Sequence, residues 1–297
     1  MRKPPFVTPP WGSWIILASE DLSDPWRSAG SKREKPSQEE KMNRYRKTAI
    51  IAGVLLITAT VASLLSIPFS APMNAPNYLA SVAANANQVT FGALLKFVAA
   101  AASASIAIAF YPLLRKSHEG LALGAVGFRL IEGVFYIAGV MCLLVLVTLS
   151  QEFVKAGAAN SSYYQTLGVV VVAAYHWVGN VGSLLAFSLG ALMYYAIFYH
   201  TRLVPRWLSG WGLVGATLCL VAGMFVMLGL IGPLSTFQVV LALPIAVQEM
   251  VLAVWLIVRG FKSSAIASLS AKNEAQPPLA ADSARSAEAR ASRLSGI

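Results

Sequence analysis

The sequence predicts an all-α polytopic membrane protein, a bundle of six transmembrane helices with both termini cytoplasmic and disordered tails. Three observations predict it. Of 297 residues, 57% are hydrophobic and only 12% charged, with a mean hydropathy of +0.63, whereas soluble domains carry about 25% charged residues. The apolar residues fall into segments of about 20 residues or more, the length that crosses about 30 Å of hydrocarbon as helix. The basic residues recur in every second connection, as the orientation of membrane helices requires.

Residues 1–41 are rich in Pro, Ser and charge, as in MRKPPFVTPP and SKREKPSQEEK, a composition of disorder. The apolar patch Trp14–Ala18 is too short for a signal-peptide core, and no small-residue cleavage pattern follows it. Met42 opens MNRYRKTAIIAGVLLI and is read as the natural start, with 1–41 an extension. The domain reading is therefore 1–41 as a disordered extension, 42–262 as the six-helix membrane domain, and 263–297 as a disordered cytoplasmic tail.

The first span is Thr48–Pro68. A connection without charges follows, whose Tyr78, Leu79 and Val82 are expected to lay a short helix on the membrane surface. The second span, about Thr90–Leu114, has the small-residue middle FVAAAASASIAIAF and belongs inside the bundle against close neighbours. It carries Lys96, about 9 Å from its outer end by helix rise. Lys96 either snorkels to the outer interface or pairs with Glu132 or Glu249.

The third span, Gly120–Gln151, organises the rest, because it carries Arg129 and Glu132 roughly 12 and 16 Å deep by helix rise. Each unpartnered charge at such depth costs about 2.5–3.5 kcal/mol on insertion scales. Arg129, Glu132, Gly133 and Tyr136 follow i, i+3, i+4, i+7 and share one face. That face is expected to point into the bundle, with Gly133 admitting a neighbouring helix.

The apolar stretch Tyr163–His200 is too long for one crossing, at roughly 55 Å if helical throughout. It reads as an interfacial or membrane-dipping helix over Tyr163–Val178, a break near Gly179 and Gly182, and a crossing over Asn180–Tyr199. Gly182, Ala186 and Gly190 then form a small-residue seam. His176 and Asn180 sit one turn apart as a polar pair near the outer surface.

The fifth span is Leu208–Ile231. The sixth, Thr236–Val258, holds Pro244, Gln248 and Glu249, and Pro244 is expected to kink it. Glu249 lies about 18 Å from Phe237 by rise, near mid-depth. After Phe261, Ala, Ser, Pro and Arg dominate, which predicts a disordered tail.

Arg44, Arg46 and Lys47, then Arg115 and Lys116, Arg202 and Arg206, and Arg259 and Lys262 mark one side of the membrane. The connections on the other side offer only Lys155. This alternation puts both termini in the cytoplasm with six crossings.

The net charge of +10 does not indicate nucleic acid, because Lys and Arg form no stripe with interleaved aromatics. The two cysteines, Cys142 and Cys219, read as structural thiols. No phosphate-cradling Gly loop, metalloprotease His pair or Gly-x-Ser-x-Gly elbow appears. No cofactor or metal is therefore called for. The buried polar set is Lys96, Arg129, Glu132, Tyr136, Gln248 and Glu249, with two charges of each sign. Besides the lipid bilayer, a small ion or small molecule is the partner these groups suggest, and the sequence leaves the oligomeric state open. Three functions remain: binding or passing a small ion or proton at Glu132 and Glu249 with Arg129 as counter-charge, a structural or regulatory membrane subunit, or a lipid-active enzyme using His176.

YHTRLVPRWLSGWGLVG at 199–215 and LPIAVQEMVLAVWLIVRGF at 243–261 resemble the uncharacterised membrane family known as domain of unknown function 4386. RYRKTAIIAGVLLI and the Arg129/Glu132 helix fit the same pattern. The resemblance covers about Met42–Lys262. It implies a six-helix protein of the cytoplasmic membrane and brings no activity. The Pro205–Leu208 turn has its own reading: Pro205 stops one helix, Arg206 anchors to headgroups and Trp207 sits at the interface.

Overall fold

The computed structural model describes residues 38–157 and 161–275. These form helices α1 (Gln38–Phe69), α2 (Tyr78–Ala84), α3 (Ala86–Leu114), α4 (Glu119–Ala156), α5 (Ser161–Ala174), α6 (Ser183–Thr201), α7 (Arg206–Met227), α8 (Thr236–Val258) and α9 (Ser263–Ala275). A π-helical segment, Tyr175–Gly182, joins α5 to α6 without interruption. Six helical stretches among the described residues are long and apolar enough to cross a membrane: Met42–Phe69, Ala86–Leu114, Glu119–Ala156, Ser161–Thr201, Arg206–Met227 and Thr236–Val258.

The pattern of exposure is that of a membrane protein. Ile51, Leu65, Leu94, Leu123, Val134, Val170, Val214 and Val254 point outward, while Lys96, Arg129, Glu132, Gln248 and Glu249 are buried. Soluble folds bury charge only rarely, so an apolar exterior around a charged interior identifies lipid as the solvent. Hydroxyls on the outer faces are returned to their own helices. Thr58, Thr148 and Thr217 donate to the carbonyls of Val54, Leu144 and Leu213 at 2.9, 3.1 and 2.9 Å, which satisfies these three donors within their own helices.

Helix α4 is the hub and packs against α2, α3, α5, the π segment and α6; α6 then packs on α7, and α7 on α8. The crossings are built on small residues, as lipid-embedded packing demands. A Cβ on Gly139 would lie 2.8 Å from the Gly179 Cα, and one on Gly179 would lie 2.9 Å from the Gly139 Cα. A Cβ on Gly215 would lie 3.0 Å from the Ile245 backbone, and one on Gly53 2.8 Å from the Ala253 carbonyl. The last of these sets α1 against α8. The small-residue middle of α3 is buried as expected, with Ala99, Ala100, Ala102 and Ser103 inward. Gly133 faces the Ala100 carbonyl, 3.6 Å from where its Cβ would be.

The basic connections gather at one end. Arg46 donates to the carbonyls of Leu256, Ile257 and Val258 at 3.2, 2.7 and 3.2 Å. It thereby satisfies the orphan acceptors at the C-terminus of α8 and sits favourably in its dipole. Gly260, at φ +70°, closes that terminus with its amide on the Leu256 carbonyl at 3.1 Å, a left-handed position that suits glycine. The Lys262 amide donates to the Leu203 carbonyl at 2.9 Å, and Lys116 is bonded to the Tyr45 hydroxyl.

Several expectations are corrected. The apolar face of the short helix over Tyr78–Ala84 does not lie on the membrane: Leu79 and Val82 are buried in a cluster with Val140, Leu143 and Leu146 of α4. Tyr78 donates to the Gln165 carbonyl at 3.0 Å, so α2 is clasped between α4 and α5. No break divides the fourth crossing at Gly179 and Gly182. The helix continues, widened by the π segment, because Gly179 lets it press onto α4 and Ser183 donates back to the Gly179 and Asn180 carbonyls at 2.8 and 3.0 Å. The tail is not disordered from 263 onward: Ser263–Ala275 is helical, and Ala265, Ile266 and Leu269 join a core with Phe110, Phe198 and Phe261. The ordering force is burial of that apolar stripe, roughly 1.5–3 kcal/mol for each large side chain. Nor is 1–41 disordered to its end, since α1 already begins at Gln38; the rest of the disorder read for 1–41 and 263–297, at 1–37 and 276–297, lies outside the described residues.

Candidate functional site

Burying Arg129 in hydrocarbon demands partners for its donors, and the fold supplies them from four helices. Its Nη1 donates to Glu132 Oε2 at 3.0 Å and to Ser103 Oγ of α3 at 2.9 Å. Its Nη2 donates to Tyr194 Oη of α6 at 2.9 Å and to Glu249 Oε1 of α8 at 3.2 Å. The guanidinium carbon lies 4.6 Å from the Phe187 ring centroid and 5.4 Å from that of Tyr194, and guanidinium planes favour such aromatic faces. Gly190 makes the room, since a Cβ there would come 3.3 Å from Arg129 Cγ. The Nε of Arg129 is buried with no hydrogen-bond partner.

Glu249 completes the link between α8 and α1, accepting from Thr60 at 3.5 Å and from Tyr194 at 3.4 Å. One guanidinium thus serves two carboxylates, and Arg129 and Glu132 each stand at 2% relative exposure. The local formal charge is one negative in excess.

Lys96 lies in a different environment from either one expected of it. It is buried, so it does not snorkel, and its ammonium reaches neither Glu132 nor Glu249 as an ion pair among the described residues. Its Nζ donates to Asn180 Oδ1 at 2.9 Å and sits 4.5 and 5.8 Å from the ring centroids of Tyr175 and Tyr136. Asn180 Nδ2 meets His176 Nδ1 at 3.2 Å. Ammonium can only donate, so it fixes the Asn180 amide with Oδ1 toward Lys96 and Nδ2 toward the histidine. The neutral imidazole then accepts at Nδ1 and carries its proton on Nε2. His176 and Asn180 both belong to the π segment, and π segments recur at functional sites.

These groups line one cavity of about 280 Å³. Lys96, Arg129, Glu132, Tyr136, His176, Asn180 and Glu249 all face it. It runs from the level of Arg129 to Ser70, Asn74 and Leu234, at the end of the bundle away from Arg46. The outer-interface pair His176–Asn180 and the buried charges, distinct in the sequence, are therefore one site. Gln248 is not part of it. It accepts from Tyr195 at 2.5 Å and donates to the Leu208 carbonyl at 3.0 Å, a tie between α6, α7 and α8.

Sequence reasoning missed Ser103, Tyr194, Thr60 and Tyr175. Their types carry no mark in a helix, although Tyr194 and Ser103 could have been sought as the neutral donors and acceptors that a buried guanidinium with five N–H groups requires. Among the described residues no three of His, Cys, Asp and Glu come together as metal ligands.

The model of one protein family, described as a domain of unknown function (DUF4386), matches residues 51–260. No curated protein and no solved structure matches the chain.

Proposed function

The chain belongs to that DUF4386 family, and from the cavity we propose that this multi-pass membrane protein binds a proton or small cation at Glu132 and Glu249 and passes it across the bilayer. The observation that supports this most is the unequal sharing of Arg129: two buried carboxylates lie 3.0 and 3.2 Å from one guanidinium. An uncompensated charge removed from water costs several kcal/mol, and a proton or small cation in the cavity relieves it. Arg129 holds the two carboxylates in place and prevents both from needing a cation at once. Thr60 and Tyr194 fix the second oxygen and the orientation of Glu249.

The route begins at the Ser70, Asn74 and Leu234 end of the cavity. With the basic connections cytoplasmic by the positive-inside rule, that end faces outward and both termini lie inside, in what we take to be the plasma (inner) membrane. Passage beyond Arg129 requires the inner half of the bundle to open, where Phe110, Phe198 and Leu256 are fully buried.

The test is flux in liposomes containing the purified full chain, driven by a potassium diffusion potential and read with an internal pH dye and with sodium tracer. Wild type moves protons or sodium. Glu249→Gln and Glu132→Gln, which keep shape and lose charge, each reduce the flux at least tenfold, while Gly127→Ala leaves it unchanged. Absence of flux in wild type, or flux in both carboxylate variants equal to that of wild type, overturns the proposal.

A further inference from the structure

The Lys96 end of the cavity has no role in the binding of a proton or small cation. Lys96 is 5% exposed, and a buried ammonium needs an anion or equivalent acceptors. Among the described residues it has one acceptor, Asn180 Oδ1, and two tyrosine faces, which attract a cation but do not neutralise it. Two of its three N–H donors remain for a ligand. His176, locked by Asn180 with its proton on Nε2, offers a further donor in the same cavity. Ammonium, imidazole N–H and an aromatic wall together make a carboxylate subsite.

At the other end lie the carboxylates of Glu132 and Glu249, one negative charge in excess. Each carboxylate has about four lone-pair positions, more than Arg129 occupies. The cavity is thus polarised, cationic at Lys96 and anionic at Glu132 and Glu249, with a total formal charge of zero. A ligand of one sign satisfies one end and leaves the other bare. A zwitterion satisfies both and leaves the cavity neutral.

The two ends are offset along α4, which favours zwitterions whose charges are set apart by methylenes over those with both charges on adjacent carbons. Tyr136, whose ring Lys96 approaches, is four residues beyond Glu132 on α4, about 6 Å by helix rise. An amine and a carboxyl carbon separated by three methylenes span about 5 Å at ordinary C–C bond lengths. The cavity wall also carries apolar side chains, Ile67, Met73 and Leu184 among them, which suits methylenes. Resting on the cation site above, we infer that the ligand is a small ω-amino acid, its ammonium at Glu132 and Glu249 and its carboxylate at Lys96 and His176.

The experiment is equilibrium binding to the full chain in lipid nanodiscs, with 4-aminobutyrate, butylamine and butyrate as matched probes. The expected result is that 4-aminobutyrate binds at least tenfold more tightly than either analogue. Lys96→Gln removes its advantage over butylamine, whereas Glu249→Gln weakens both amines. Asn180→Asp, which sets a carboxylate against Lys96, abolishes the same advantage and serves if Lys96→Gln does not fold. Butylamine binding equal to that of 4-aminobutyrate, or an advantage untouched by both Lys96→Gln and Asn180→Asp, overturns the zwitterion and leaves the cation site standing. Loss of all amine binding together with absence of flux in wild type overturns both.

Discussion

Arg129 Nη2 stands 3.2 Å from Glu249 Oε1, a residue 120 positions further along the chain. That one bond ties α4 to α8 at the centre of the bundle, and the same guanidinium holds Glu132 at 3.0 Å. The fold and the cavity share these three side chains, so changes here act on stability and on binding together.

Arg129→Leu leaves two buried carboxylates without a cation. Breaking a buried pair in this way costs about 3–5 kcal/mol, and the thermal midpoint of the purified protein in detergent falls sharply. Arg129→Lys keeps the charge but loses the planar fork, and its midpoint lies between the two. The triple change Arg129→Met, Glu132→Gln, Glu249→Gln recovers most of the loss, since no charge then remains buried. A triple variant no more stable than Arg129→Leu refutes the charge argument.

Tyr194→Phe removes one acceptor from Arg129 Nη2 and one donor to Glu249 Oε1 while keeping the ring among Phe110, Tyr195 and Phe198. The expected loss is about 1.5–3 kcal/mol, the range for hydrogen bonds to charged groups. Denaturant titration of the wild type and the variant in the same detergent measures it. A loss under half a kilocalorie would show that water replaces the hydroxyl.

Gly139→Ala and Gly179→Ala force a methyl against backbone on the facing helix, where no side chain can yield. Each costs roughly 1–3 kcal/mol, and the double change costs little more because one separation of the helices relieves both. Gly127→Ala, with nothing within 4 Å of its Cβ, is neutral or slightly stabilising. Thermal midpoints of the four proteins decide the matter.

Arg46→Ala uncaps α8, stripping donors from three terminal carbonyls. A loss of about 1–2 kcal/mol follows from the lost dipole and charged hydrogen bonds. Hydrogen exchange at Arg259 and Gly260 accelerates, whereas exchange at the Ser235 end of α8 is unchanged. Uniform acceleration along α8 would instead mark global destabilisation.

Ile266→Asp places a carboxylate in the cluster that holds α9 against Phe110, Phe198 and Phe261. The helix detaches, and limited proteolysis after Lys262 speeds up at least tenfold with the six-span core intact. An unchanged cleavage rate shows that α9 docks without that contact.

Six crossings were legible because lipid imposes one simple demand, length and apolarity with every backbone group paired, and each of the six satisfies it within its own segment. Arg129 and Glu132 were legible as a pair for the same local reason, since i and i+3 share a face at any helix orientation. The continuity of the fourth crossing was not. Two glycines in an apolar run are compatible with a break or with a close approach, and only the Gly139–Gly179 contact decides between them. Lys96 likewise shows that a charge near a span end is read from depth alone, whereas its fate depends on Asn180, 84 positions away.

The sequence by itself determined the solvent, the number of spans and which side chains had to find partners, because hydropathy and helical periodicity are properties of neighbours along the chain. Tertiary structure alone decided who those partners are: Glu249 for Arg129, Asn180 for Lys96, and a single cavity for both. Rotations of whole helices about their axes set these distances, and such rotations are fixed by glycine contacts between segments rather than within any one of them.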